Sequence, residues 1–142
     1  MRARRWAGVP ATERRLALAA AAVLGYGAVV HVVQLVLGGS DPYPSMPGWL
    51  AGYFVSLTLL DPVAAVLLLL RRRAGLVLGC AVLLTDAVAN GYANHVVDGA
   101  SGLTAGRAGH AVITVLAVTL LAAAPRLWPW LRPVAVRRGP IG

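Results

Sequence analysis

Two aspartates, Asp61 and Asp86, stand inside runs of Leu, Val and Ala that carry almost no other charge, and His31 stands inside a third such run. Two carboxyl groups and an imidazole are enough for acid–base chemistry without a cofactor. An acid that keeps its proton in apolar surroundings can deliver it to an olefin or epoxide, and the ionised partner or the imidazole then steadies the cation or takes a proton back. Gln34, Asn90, Asn94, His110 and Thr114 are the polar types that would bind and orient a molecule beside them. The sequence calls for no metal and no cofactor, because the three histidines show no HxxxH or HExxH spacing. The one cysteine, Cys80, forms no CxxC pair and no disulfide framework within the chain.

Those residues must be positioned by the elements around them. The chain has 142 residues, 58% hydrophobic and 13% charged, with a mean hydropathy of +0.73, too apolar for an ordinary soluble domain of this size. Four apolar runs, at 15–38, 48–70, 74–97 and 106–127, are each long enough to cross about 30 Å of hydrocarbon as a helix. The fold class read from this pattern is all-α: a polytopic membrane protein built as a four-helix bundle with short loops. The domain plan is a basic N-terminal segment (1–14), the transmembrane bundle (15–127) and a basic tail (128–142). The first run is too long for the apolar core of a secretory signal, so it reads as a retained helix.

All thirteen basic residues are arginine. With Ala, Leu, Val and Gly dominant, this points to a GC-rich bacterial genome. Only Arg107 falls in an outer loop, while the other twelve lie before the first helix, between the second and third, or around the end of the fourth. By the positive-inside rule both termini face the cytoplasm, and the protein is a multi-pass component of the cell (inner or plasma) membrane. Trp6, Trp49, Trp128 and Trp130 fall near the span ends, where indoles anchor in the interface. The tail WPWLRPVAVRRGPIG would lie along the cytoplasmic surface without a fold of its own. A pI of 11.3 raises nucleic acid as a partner. The arginines instead lie between apolar runs with no aromatic module to stack bases, so the expected partners are membrane lipids and a lipophilic small molecule, with a second copy or another membrane protein as the macromolecular option.

Helical periodicity sorts the polar residues. At about 100° per residue, Asp86, Asn90 and Asn94 fall within an arc of roughly 80° on the third helix, bordered by Ala89 and Ala93, while His95 points to another face. Gly27, His31, Gln34 and Gly38 share a face of the first helix, and His110 and Thr114 share one on the fourth. Asp61 and Asp86 fall at similar depth near the midplane, and Pro62 frees the Thr58 carbonyl beside Asp61. The polar groups crowd into the outer half and the middle, which predicts a polar pocket open outward or to the outer leaflet. A charge at the bilayer centre costs from about 3 to over 10 kcal/mol, which favours a function for the two aspartates over plain packing. For Asn90, Asn94, Gln34 and Thr114 the plainer role is interhelical hydrogen bonding.

Four short-looped helices, the entry MPGWL (46–50), the LLDPV segment (59–63) and the polar face of the third helix resemble the EXPERA group, the family of emopamil-binding sterol isomerases and sigma-2-type receptors. That resemblance implies a bundle whose acidic and histidine side chains surround a lipophilic, often cationic or sterol-like ligand. Asp61 would match the polar site of the second helix, and Asp86 or Asn90 that of the third. The chain differs from the family in having no glutamate near Phe54 to Leu57 and a shorter first loop.

Two functions fit the residues. One is a protein that binds an isoprenoid-like molecule, or isomerises or cyclises it by acid–base catalysis, with Asp61, Asp86 and His31 as the reacting groups. The other is a non-enzymatic membrane component: a transporter subunit, a proton or cation pathway, or an accessory scaffold. A transporter would need the polar stripe to continue to the cytoplasmic side, and in the sequence it stops near the middle.

Overall fold

The computed structural model describes residues 6–99 and 101–133. These residues form four long helices: α1 (Ala11–Gly38), α2 (Gly48–Leu69), α3 (Arg73–Tyr92) and α4 (Ala105–Leu127). A π-helical turn, Ala93–Val97, prolongs α3, and a 3-10 turn, Trp128–Trp130, follows α4. All four helices are long and apolar enough to cross a membrane. α1 begins four residues before its apolar run, because Glu13, Arg14 and Arg15 favour helix as much as alanine's neighbours do. Hydropathy marks where lipid could lie, and helix propensity continues past it.

Local chemistry sets the ends. Pro47 cannot continue a helix backwards, and its carbonyl accepts the first α2 amides, from Leu50 (2.9 Å) and Ala51 (3.0 Å). Thr104 caps α4 by accepting from the Arg107 amide at 3.2 Å. Gly39, at φ 61°, lets the chain leave α1 in a conformation most residues avoid.

Consecutive helices pack side by side along their length, and α1 and α4 meet far more sparsely, so the bundle has one open seam. Its exterior is apolar: Leu37 is 82% exposed, and Leu59, Val88 and Val115 also face outward. Helices apolar on every face belong in lipid or in the core of a large protein. Inside, Leu24, Leu57, Leu68 and Leu76 are fully buried with Ala17, Ala64 and Ala117 between them. α2 and α3 come close at Gly75, where an added Cβ would collide with the backbone of Leu67 and Leu68. Backbones that touch like this need glycine.

The arginine-rich end departs from the expectation of a loose surface tail. The chain after α4 is tied back to the α2–α3 connection, with the Arg132 amide donating to the Arg71 carbonyl (2.7 Å) and the Arg73 amide to the Arg132 carbonyl (3.0 Å). Arg71 Nε and Nη2 both donate to the Trp130 carbonyl, at 3.1 and 2.7 Å, and Arg73 Nε donates to that of Leu131 at 3.2 Å. Arg71 also lies over the Trp6 ring and Arg73 over Trp128. Burial first, and then the charge of Arg132, hold the Arg71 guanidinium below its usual pKa. Trp6 and Leu131 are buried beneath this layer, so Trp6 is a packing residue here rather than an exposed anchor. The physical reason is backbone satisfaction: carbonyls left open after α4 meet arginine donors. Residues 134–142, with Arg137 and Arg138, lie outside the described part, as do Arg2, Arg4 and Arg5.

Candidate functional site

Toward the arginine-poor end the helices enclose a cavity of about 630 Å³. Its floor holds Asp61 from α2 and Asp86 from α3, which are 4% and 8% exposed, and His31 from α1, also 8% exposed. Gln34, Asn90 and Asn94 line the walls above them. Most of the remaining lining is apolar, from Val23, Val30, Phe54, Leu83, Ile113 and Leu116 among others. A cavity of this size, mostly apolar with a few convergent polar groups, has the character of a small-molecule site.

α1 brings His31 and Gln34 one turn apart. Gln34 Oε1 lies 3.2 Å from His31 Nδ1 and accepts from the Tyr43 hydroxyl at 2.9 Å. A carbonyl oxygen has no proton to give, so His31 Nδ1 is the donor, and in the neutral ring Nε2 carries the lone pair. Nε2 faces Asp61 Oδ2 at 3.8 Å. Tyr43, Gln34 and His31 are therefore linked by hydrogen bonds from the α1–α2 connection downward, and the imidazole faces Asp61 at the floor. Burial first, and then the charge of Asp86, hold the Tyr43 phenol above its ordinary pKa, so it stays a donor. Its ring also packs against Phe54, with centroids 5.3 Å apart.

On α3, Asn90 Nδ2 donates to Asp86 Oδ1 at 2.8 Å and to the Asp86 carbonyl at 3.0 Å, and Asn94 Nδ2 donates to the Asn90 carbonyl at 2.8 Å. The stripe is a ladder along one helix, with Asp86 at its foot and Asn94 at the mouth. Glycines let the other helices close on it. A Cβ on Gly27 would stand 2.6 Å from Asp61 Oδ2, and one on Gly106 would collide with the Asn94 amide. The π-helical turn begins at Ala93, with the Asp98 amide reaching back to the Ala93 carbonyl at 2.8 Å. Such turns occur often at functional sites, and Asn94, Val97 and Asp98 from this stretch all line the cavity.

The structure brings six of the eight expected residues to the cavity: Asp61, Asp86, His31, Gln34, Asn90 and Asn94. It does not bring His110 or Thr114 there. α4 presents Gly109, Val112, Ile113 and Leu116 instead. His110 turns toward α3, its ring against Gly91 and edge-to-face with His95 at 5.6 Å, and Thr114 is exposed, with its hydroxyl bonded to the His110 carbonyl at 2.8 Å. Gly109 and His110 differ by one residue, about 100° of rotation, and packing against α3 set the choice. Tyr43, Ser45 and Met46 were not expected; loop residues carry no periodicity, and only the fold shows them over the cavity. Among the described residues no group of three or more His, Cys, Asp or Glu side chains is arranged to hold a metal ion.

The chain matches no protein-family model, no curated protein and no solved structure.

Proposed function

We propose that this chain is an integral protein of the cell membrane, both termini cytoplasmic, that takes an isoprenoid-like molecule into the cavity and rearranges it by acid–base catalysis. The observation that carries the reading is the convergence of two carboxyl groups and an oriented imidazole on one apolar-walled cavity. In this reading Asp61 carries the proton and His31 Nε2, 3.8 Å from its carboxyl, is the free base. In the forward step Asp61 gives that proton to an olefin or epoxide, and the negative charge of Asp86 steadies the cation that forms. His31 Nε2 then takes a proton from the neighbouring carbon, and its return to Asp61 restores the starting state. No proton is consumed, as an isomerisation or cyclisation requires. The positions of Asp61 and Asp86 also suit the resemblance to the EXPERA group.

The other half of the bundle favours this reading over transport. Below the floor, Leu24, Leu68, Leu76 and Leu120 fill the interior, and the polar path does not continue among the described residues. Native mass spectrometry of the purified protein, with metal analysis, would identify the bound species and supply the substrate for an assay. Asp61→Asn and Asp86→Asn are each expected to lower turnover at least about a hundredfold, within the usual contribution of a positioned acid or base, while the thermal midpoint stays put. Full activity in both variants would falsify the catalytic reading. Proteoliposome flux that depends on both aspartates would replace it with transport, and a co-purifying polypeptide with no bound lipid would replace it with a scaffold.

A further inference from the structure

The cavity has a roof and an open side. The roof is Tyr43, Ser45 and Met46 from the α1–α2 connection, with Tyr43 held to Gln34 and against Phe54. The side is the seam between α1 and α4, the neighbouring pair that packs most sparsely. Tyr26 of α1 and Val112 of α4 both line the cavity and are 72% and 59% exposed. Lining residues this accessible, on the two helices that meet most sparsely, put the opening at the side of the bundle, between helices whose outer surfaces are apolar. In a membrane that side meets acyl chains.

The charges along the cavity are one-sided. Asp61, Asp86 and Asp98 line it, and among the described residues no lysine or arginine does. Asn90 occupies Oδ1 of Asp86 and leaves Oδ2 for another donor. A phosphate or carboxylate head would approach Asp86 and Asp98 with like charge and find no lysine or arginine among the described lining residues, whereas hydroxyl and ammonium groups find acceptors.

Building on the pocket reading above, we propose that the ligand enters sideways from the lipid through the α1–α4 seam, and that it is a single-chain lipid whose head group donates hydrogen bonds and bears no negative charge. Phosphorylated isoprenoids are thereby excluded, and the free alcohol or the amine is admitted. The tail lies along Val23, Val30, Ile113 and Leu116 while the head reaches the aspartates.

Photolabelling of the full chain in phosphatidylcholine nanodiscs tests both parts, with diazirine-tagged hexadecanol, hexadecylamine and hexadecyl phosphate as probes. The alcohol or the amine is expected to label residues 23–34 and 109–116 at least about tenfold more than the phosphate, and the stronger of the two identifies the head group. Val112→Trp, which fills the seam, should cut that labelling by about tenfold, while Leu59→Trp on the outer face of α2 should change it less than about twofold. Tyr26→Ala widens the seam without adding bulk and should speed labelling, a check that survives if the tryptophan variant fails to fold. Equal labelling of the cavity by all three probes overturns the head-group class and leaves the pocket standing. Labelling that neither seam variant changes overturns the route alone. No labelling of these segments by any probe overturns the inference and the pocket reading together.

Discussion

The two ends of this bundle solve the same packing problem in opposite ways. Toward the arginine-rich end the helices close on alanine, glycine and leucine: Ala17, Leu24, Ala64, Leu68, Leu76 and Ala117 are essentially inaccessible, and the connections are laced together through backbone carbonyls. Toward the other end glycines are used to make room for polar side chains, Gly27 for Asp61, Gly106 for Asn94 and Gly91 for the His110 ring. Small residues in the first half remove space between helices, and in the second half they admit charge. Dense packing at one end is what allows a cavity with buried carboxyl groups at the other, since such groups cost stability that dry packing must offset.

Breaking the dry half should cost most. Gly75→Leu places a side chain where the backbones of Leu67 and Leu68 already lie. It is expected to destabilise the protein by about 3 kcal/mol, the upper part of the range for overpacking, measured as the thermal midpoint in detergent. A midpoint unchanged from the parent chain would mean that the two ends do not differ as described.

The matching change in the polar half is Gly27→Ala, whose methyl group must displace the Asp61 carboxyl from His31. Here the expected effect falls on function: about a tenfold loss of turnover or probe binding, worth about 1.4 kcal/mol, with a small change in midpoint. If stability drops as far as for Gly75→Leu, Gly27 serves packing and the contrast fails.

Arg71 tests the lacing of the arginine-rich end. It adopts φ 57°, and no other described non-glycine residue has positive φ. Arg71→Ala keeps the unfavourable backbone and loses the bonds to the Trp130 carbonyl, for an expected loss of about 1 kcal/mol. Arg71→Gly relieves the backbone and should recover part of that loss. Chemical unfolding of the two variants side by side separates backbone from guanidinium, and a glycine variant less stable than the alanine variant would contradict the backbone account.

The smallest effect is expected at Tyr43→Phe, which removes one donor to Gln34 and leaves its contact with His31. Loss of about 0.7 kcal/mol of orientation, roughly threefold in turnover, is expected from one part-exposed neutral hydrogen bond. A change beyond about a hundredfold would place the phenol among the reacting groups.

Much of this was legible in the sequence where a single helix decides it. The stripe of Asp86, Asn90 and Asn94 follows from periodicity, and the side-chain to backbone bonds between them run within α3 and the π-helical turn that prolongs it. The pairing of His31 with Gln34, three residues on, is equally local. α4 shows the limit. Its polar residues, His110 and Thr114, suggested one inward face, but a helix apolar nearly all round has several faces that could pack, and the contact between His110 and Gly91 rotated the polar pair out of the cavity. The tail shows another limit, because arginines read as topology markers also donate to carbonyls more than fifty residues away, as Arg71 does to Trp130 at a separation of 59.

The sequence by itself determined four apolar helices, their approximate ends and the polar faces of α1 and α3, because each depends on hydropathy and on the 3.6-residue period of one segment. Only the tertiary structure decided that Asp61 meets His31, that Tyr43 roofs the cavity and orients the imidazole through Gln34, and that the opening lies between α1 and α4. Those relations join residues from different segments, and their geometry is set by which small residues let which helices approach.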